Sequence, residues 1–413
     1  MTDLVALPNL RHLRVFEAAA RLGSVTLASR AIHLSQPAVS QAISNLETLF
    51  GAKLFDRGPR GSYLTPFGQI VLARTERLFA LLRQALEDLF HGHTSGEKID
   101  ITSLLEKITT THIRCLLAVS ENASFDQAAR SIGVSQPSLH RGARDFERHI
   151  RRTIYYRGAQ GISTTKQGSE LARRFMLAMR ELDYAFDEVK TQQGAITSRI
   201  VIGTLAAGGS FVLAHAVDEF LATCPGARVQ IIEEPYEQLL SDLRVGKIDF
   251  LFSVLRRPDW ATDVAETTLF DESYTIVMRP QHPLAKVISA DRQDLARYDW
   301  IVPGPATPRY LAFEQLFASA KIKPTTNIET TSRGLVRALL TMSDRLTLLA
   351  RHEALLEEKL GVLRIVPAKV RLPRRTYGVA TRVNWQPTGL QQQFLRILTR
   401  QGQRAASASV QPH

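Results

Sequence analysis

Ser35-Gln36-Pro37-Ala38-Val39-Ser40-Gln41-Ala42-Ile43-Ser44-Asn45-Leu46 is the stretch from which the fold can be read. Ser35 offers an oxygen to cap a helix, and Pro37 stands in its first turn, where a missing N–H costs nothing. Val39, Ile43 and Leu46 then share one face at i, i+4 and i+7, which turns Ala38, Ser40, Gln41, Ser44 and Asn45 outward. Upstream, Leu10 to Leu22 carries a helical stripe of Leu13, Phe16, Ala19 and Ala20 that Gly23 ends, and Ser24 caps a second helix, Val25 to Ile32. His33 and Leu34 make the tight turn between the two. A short helix with a small, uncharged, hydrogen-bonding outer face, reached by a tight turn from another helix, has the form of a major-groove reader. Phe55-Asp56-Arg57-Gly58 and Gly61-Ser62-Tyr63-Leu64-Thr65 follow as two short strands around a basic turn, a wing that sets Arg57 and Arg60 against backbone phosphates.

The pattern returns 100 residues later without a gap. His12/His112, Arg14/Arg114, Ala18/Ala118, Ser24/Ser124, Ala28/Ala128, Arg30/Arg130 and Ile32/Ile132 lead into Ser35-Gln36-Pro37 against Ser135-Gln136-Pro137. The match runs on through Glu47/Glu147, Arg57-Gly58/Arg157-Gly158, Gly61/Gly161, Thr65/Thr165 and Gly68/Gly168. About 16 identities in about 57 positions is several times the roughly one in fifteen expected by chance, so the module is duplicated.

Residues 10–68, with the run FEAAARLGSVTLASRAIHLSQPAVSQAISNLETLFGAKLFDRGPRGSYLTPFG, resemble the N-terminal domain of the LysR-type transcriptional regulators. The resemblance implies a winged helix-turn-helix on double-stranded DNA, with Ser35, Gln36, Pro37, Ser40, Gln41, Ser44, Asn45, Arg57 and Arg60 as candidate contacts. In the second copy the candidates are Ser135, Gln136, His140, Arg141, Arg144 and Arg157. That copy departs from the first. Its outer helix face reads Ser138, His140, Arg141, Arg144 and Asp145, and it contains Gly142, which costs a helix interior about 1 kcal/mol relative to alanine. Arg148, Arg151 and Arg152 surround its wing. Two readings stand: a DNA contact weighted toward phosphates, or a relic that packs and dimerises.

Thr65 and Thr165 cap long helices whose apolar positions advance by four and three: Val71, Thr75, Leu78, Leu82, Ala85, Leu89, and Leu171, Phe175, Ala178, Leu182, Ala185, Val189. Such a seam asks for a partner helix. About 26 residues span roughly 39 Å, more than one small domain covers, so at least a dimer is expected. The resemblance adds that this linker helix is the dimer interface of the family, and it implies a homodimer or homotetramer. Between the copies, His91-Gly92-His93-Thr94-Ser95-Gly96-Glu97 reads as a solvated connector, and neither a metal nor a cofactor is expected.

From Thr197 onward strands and helices alternate, which predicts α/β architecture with mainly parallel sheets. Two units of about 100 residues, with crossings near Met278 to Pro283 and near Ala380, leave a cleft between them. With RIVIGTL, LRVGKIDF and RPQHPLA, the segment resembles the LysR-type effector-binding domain, itself similar to periplasmic solute-binding proteins. Ligands in open α/β sheets bind at strand carboxyl ends beside helix N-termini. Gly208, Gly209, Ser210, Thr307, Ser332 and Arg333 meet that description and suit a small anion, although Ser210 and Ser332 serve equally well as plain helix caps. The expected boundaries are 1–92 and 93–194 for two mainly α winged helix-turn-helix modules with their linker helices, 195–402 for the periplasmic-binding-protein-like α/β domain of two subdomains, and 403–413 for a disordered tail.

The 413 residues carry a formal charge of +12, with 44% hydrophobic and 22% charged residues, a globular composition suited to a polyanion partner. Cys115 and Cys224 stand far apart, which excludes a disulfide framework and fits a reducing cytoplasm. MTDLVALPNL lacks a basic leader, and glycines, Thr204, Ser210 and His215 interrupt Ile200 to Val217, so neither a secretory signal nor a membrane span is expected. Enzyme signatures are missing: there is no nucleophile elbow, His352-Glu353 lacks the second histidine of HExxH, no GK[ST] loop occurs, and GTLAAGG is not GxGxxG. The expected function is transcriptional regulation through DNA, with a small anionic effector in the C-terminal cleft. The alternative is an architectural DNA-binding protein that answers to no ligand.

Overall fold

The computed structural model describes residues 7–58, 61–91, 100–158, 161–195, 198–205, 210–256, 261–305, 307–320 and 323–410. They fall into two compact units, Met1–Ser198 and Arg199–His413. Among the described residues no helix is long and apolar enough to cross a membrane.

In the first unit, α1 (Leu10–Leu22), α2 (Val25–Ala31), α3 (Gln36–Phe50), β1 (Phe55–Gly58), β2 (Gly61–Leu64) and α4 (Pro66–Phe90) form copy one. After a short α5 (Ile101–Lys107), the order repeats as α6 (Thr110–Glu121), α7 (Phe125–Ser131), α8 (Gln136–Ile150), β3 (Tyr155–Gly158), β4 (Gly161–Thr164) and α9 (Lys166–Gln192). The repeated residues are the ones that close each module. Ser35 and Ser135 accept from the Ala38 and Ser138 amides, and Thr65 and Thr165 from those of Gly68 and Gly168. Glu47 Oε1 accepts from the Leu54 N–H at 3.0 Å, and Glu147 Oε1 from the Ile154 N–H at 2.9 Å, tying each recognition helix to the strand that follows. A Cβ at Gly68 would stand 2.1 Å from the Leu54 carbonyl oxygen, and one at Gly168 2.3 Å from that of Ile154. Only glycine lets the linker helix approach the strand so closely.

The two copies are not separate bodies: one core of buried residues runs through both. Arg74 of α4 pairs with Glu188 of α9, and Arg174 of α9 pairs with Asp88 of α4. A shift of 100 residues exchanges these two pairs, so the helices run antiparallel about a local two-fold axis. At the same axis the Leu10 N–H donates to Thr110 Oγ1 at 2.9 Å. The seams meet here, with Leu78, Leu82, Leu171, Leu182 and Val189 each at most 2% exposed. The partner helix expected from a second chain is therefore supplied by the other copy, and the seams are no longer an argument for a dimer of chains. The center of the pair is charged as well as apolar. Arg74 reaches Glu181 at 2.9 Å and Glu188 at 2.8 Å, and Arg77 reaches Glu181 at 2.9 Å, with the Arg74 side chain 7% and Glu181 4% exposed. Burial, the largest influence on Arg74, works against its charge, but the two carboxylates outweigh it and raise its pKa.

Gly142 is likewise a packing requirement rather than a flaw in α8. A Cβ there would stand 2.7 Å from Cys115 Sγ, and burial pushes that thiol up to about 11, so it stays an uncharged packing group.

The second unit contains β5 (Arg199–Thr204), α10 (Ser210–Thr223), β6 (Arg228–Glu233), α11 (Tyr236–Arg244), β7 (Phe250–Val254) and a long β8 (Val264–Met278). A 3-10 turn (Pro283–Lys286) leads to α12 (Arg292–Ala296), β9 (Ile301–Val302), α13 (Pro308–Phe317), β10 (Ile328–Glu329) and α14 (Arg333–Thr341). The chain ends with β11 (Thr347–Ala350), α15 (Arg351–Lys359), β12 (Arg364–Ile365), β13 (Arg374–Arg382) and α16 (Gly389–Val410). The main sheet has the order β11-β8-β13-β7-β5-β6, with β12 also on β8, and β9 pairs with β10. It is mixed rather than mainly parallel. β5 runs parallel to β6 and β7, whereas β13 and β8 pair antiparallel over nine positions as the chain passes between the two halves and returns. The tail expected to be disordered is helix as far as Val410: Gly402 packs on Phe270, where a Cβ would come within 2.7 Å of the ring.

Two substitutions test this packing. Glu181→Leu leaves Arg77 without its carboxylate and is expected to cost about 3–5 kcal/mol in a denaturant melt. Adding Arg77→Leu is expected to recover most of it, because the symmetry-related positions are already Leu81 and Leu177. Gly142→Ala is expected to destabilise by roughly 1–3 kcal/mol in spite of better helix propensity, with recovery when Cys115→Ala is added.

Candidate nucleic-acid interface and small-molecule cavity

On α3 the buried residues are Val39, Ala42, Ile43, Leu46 and Phe50, so the opposite face is free. Ser35, Gln36, Pro37, Gln41, Ser44 and Asn45 are exposed and Ser40 is half-buried. Gln41 Nε2 donates to Asn45 Oδ1 at 2.9 Å, which aligns two amides one turn apart on the outer face. Arg57 lies on β1, with its side chain among those not described, and Arg60 falls outside the described residues. The wing candidates are thus placed by backbone alone.

Copy two presents a different face. Ser135, Gln136, Arg141 and Arg144 are exposed, and Arg141 donates to Ser138 Oγ at 3.3 Å. The Arg144 side chain, 67% exposed, lies 3.7 Å from Glu147. His140 is half-buried with its ring 5.9 Å from that of Phe125, which makes it a packing group more than an outward reader. Asp145, read from the sequence as outward, keeps 41% of its side chain exposed but is engaged at its carboxylate: His112 Nε2 lies 2.9 Å away and Arg148 3.2 Å. The hydrogen bond from His112 holds that carboxyl below its ordinary range. His112, Asp145 and His149 lie close enough for their ligand atoms to share an ion. Hydrogen bonds already engage them: His112 Nδ1 accepts from the Thr109 N–H, which leaves its proton on Nε2 facing Asp145. Arg152 lies over the Phe90 ring at 5.1 Å, so this member of the arginine cluster braces the two copies against each other. Arg157 is on β3, its side chain not described.

In the second unit, Gly208 and Gly209 lie outside the described residues, and Ser210 opens α10 with its side chain not described. Thr307 caps α13 and Ser332 caps α14, accepting from the Tyr310 and Leu335 amides. Arg333 pairs with Glu353. Next to α13 is a cavity of about 340 Å³ lined by Tyr274, Pro308, Leu311, Gln315, Arg375 and Thr376 among others.

The residues that sequence reasoning missed are buried beside this cavity. Arg309, 8% exposed, follows Pro308 in the first turn of α13. Its Nε makes no hydrogen bond, and among the described residues no carboxylate pairs with it. Burial, reinforced by Arg375 and Arg333, pushes it down to about 10, so it is still a cation at neutral pH. Arg375, 7% exposed, bonds Glu272 at 3.2 Å and lies 4.7 Å from the centers of both Tyr274 and Tyr377. The Tyr377 hydroxyl makes no hydrogen bond and its pKa is raised by burial. Arg333 is held below its ordinary range, chiefly by burial. Three guanidiniums thus sit close enough to oppose one another, and one of them has no counter-charge.

The profile described as "Bacterial regulatory helix-turn-helix protein, lysR family" matches the chain twice, over residues 10–69 and 110–169. The profile described as "LysR substrate binding domain" matches residues 193–403. The HTH-type transcriptional regulator GalR of Pseudomonas putida is 28% identical over 379 residues, covering 92% of this chain and 93% of that protein. PcaQ of Agrobacterium fabrum, also an HTH-type transcriptional regulator, is 25% identical over 289 residues, 68% of this chain and 91% of its own. Among solved structures, full-length OxyR from Pseudomonas aeruginosa, in a variant form, covers 73% of this chain and 98% of its own at 21% identity, with a TM-score of 0.52, a likeness of fold. With two matched helix-turn-helix modules and a matched substrate-binding domain, the chain belongs to the LysR family of bacterial transcriptional regulators.

Proposed function

We propose that this regulator binds double-stranded DNA through the outer face of α3, supported by α8 and the two wings, and that its second unit senses a small anionic metabolite held against Arg309 and Arg375. One observation carries the anionic reading: Arg309 is a buried cation without a counter-charge among the described residues. An isolated buried charge is costly, and an anionic ligand removes that cost by pairing with it. The first turn of α13 adds amides and the positive end of a helix dipole, and Tyr377 supplies an unused hydroxyl. Thr307 and Ser332 then act mainly through the helices they cap. Arg333, already bound to Glu353, adds field rather than a direct contact.

Two experiments test these assignments. Gln41→Ala is expected to relax sequence preference by about 1–3 kcal/mol at one base pair while nonspecific affinity stays near wild type. Unchanged preference in a randomised-site selection contradicts the role given to α3. For the second unit, a panel of small carboxylates and neutral sugars is screened by thermal shift. A binding carboxylate at 100 times its dissociation constant is expected to add about 2.7 kcal/mol of stability. Arg309→Met is expected to stabilise the ligand-free protein and abolish that gain. If only neutral sugars stabilise it, the anionic reading fails, and if nothing does, the architectural reading gains.

A further inference from the structure

We infer that one chain is a complete reader of an asymmetric operator: the α4–α9 pair holds two unlike recognition helices in a two-fold relation, so the DNA site consists of two different half-sites. The inference rests on the reading of the first unit as DNA-binding and goes beyond it.

The first support is the pairing preference built into the interface. Arg77 meets Glu181 across the pair, but the shift of 100 residues turns this contact into Leu177 against Leu81. Two α4 helices brought together in the same geometry therefore set Arg77 opposite Leu81, and two α9 helices set Glu181 opposite Leu177. The α4 arrangement sets the buried Arg77 without Glu181, whereas in the α9 arrangement Glu181 keeps an arginine, Arg174 standing where Arg74 does, so the preference for the mixed pair rests on Arg77. The Arg74–Glu188 and Arg174–Asp88 pairs do not discriminate, since either like pairing keeps an arginine against an acid.

The second support is the difference between the two reading faces. A two-fold protein of identical halves reads a palindrome. Here one half presents Gln41, Ser44 and Asn45, neutral groups suited to adenine and mixed edges, and the other presents exposed Arg141 and Arg144, suited to guanine O6 and N7. Asp145, the acid that would repel phosphate from the second face, is engaged by His112 and Arg148, which offset its charge. Gly142 fits its packing, so α8 is as well formed as α3.

The test is selection from randomised duplex DNA with the full-length protein, its Gln41→Ala variant, and the double variant Arg141→Ala with Arg144→Ala. Both arginines are exposed, so a melt matching wild type certifies that the double variant is folded. The wild type is expected to enrich two different half-sites in a two-fold arrangement, one of them guanine-containing. Gln41→Ala should relax only the first, and the arginine variant should lose preference only in the second, by roughly five- to a hundredfold at the affected base pairs. An inverted repeat of identical half-sites, relaxed in both halves by Gln41→Ala and untouched by the arginine variant, overturns the inference and leaves DNA binding standing. So does a second half-site whose preference survives the arginine variant. Failure to enrich any sequence overturns the DNA-binding reading itself.

Discussion

Arg74 bonded to Glu181 and Glu188 at the center of the α4–α9 pair is the contact on which the first unit depends. Taking such charges out of water costs several kcal/mol for each ion, and the attraction offsets it only where the geometry is good and the remaining groups are bonded. Here Arg74 uses Nε and both Nη groups on two carboxylates, and Glu181 is shared with Arg77. The apolar seam alone would tolerate a slip along the helix, because leucines one heptad apart are alike. The charged cluster does not, since a slipped Arg74 loses one of its two acids. Association across the seam is also intramolecular. Tethering converts a bimolecular step into one with an effective concentration in the millimolar range, so the pair forms without regard to protein concentration.

Tethering has a second consequence. Two copies of one chain that pair about a true two-fold must present identical surfaces, so any useful change on one side is imposed on the other. Two copies inside one chain are free of that constraint. Arg77 and Glu181 occupy positions whose counterparts are Leu177 and Leu81, Gly142 faces Cys115 where Ala42 and Val15 stand in copy one, and His112 bonds Asp145 where copy one has His12 and Asn45. Each difference keeps the module closed, because the closing residues Glu47/Glu147, Thr65/Thr165 and Gly68/Gly168 are shared.

The repeated closing residues are also why so much of the first unit was legible in the sequence. Caps, glycines at close approach and apolar stripes act within a few turns, so the order of helices, wings and linkers followed from local pattern. The partner of each seam did not, because a heptad stripe states that a helix is needed and is silent on which chain supplies it. α5, at seven residues, is too short to show periodicity. In the second unit the alternation of strands and helices was legible, but the first half of β8, Val264-Ala265-Glu266-Thr267-Thr268, lacks apolar alternation and pairs as a strand only because β13 lies beside it. The buried arginines at and near the cavity were the least legible. Thr307 and Ser332 carried a visible helix-start signal and turned out to be caps, whereas Arg309 and Arg375 are two of the 52 basic residues, and nothing in one dimension marks a buried arginine apart from an exposed one. The Pro308-Arg309 step at a helix start was the one available hint.

An unpaired buried cation is a poor way to stabilise a domain and a good way to make it responsive. A ligand shifts an equilibrium only by its differential affinity for the two states, so a site already satisfied by its own protein offers an incoming anion little to gain. Arg375, bound to Glu272 and stacked between Tyr274 and Tyr377, is of that satisfied kind and fixes the wall of the cavity. Arg309 is of the other kind. Burial and the nearby Arg375 and Arg333 weigh against its charge, and on the proposed reading a bound anion relieves that cost. Moving a two-state equilibrium from 1:99 to 99:1 takes about 5.5 kcal/mol, more than one surface ion pair supplies, so the proposed reading calls for an anion that is desolvated and in contact with more than one of these groups. On the proposed reading, the recognition chemistry therefore belongs at the first turn of α13, near the Arg309 guanidinium and the Tyr377 hydroxyl, rather than at the capping hydroxyls that the sequence displays.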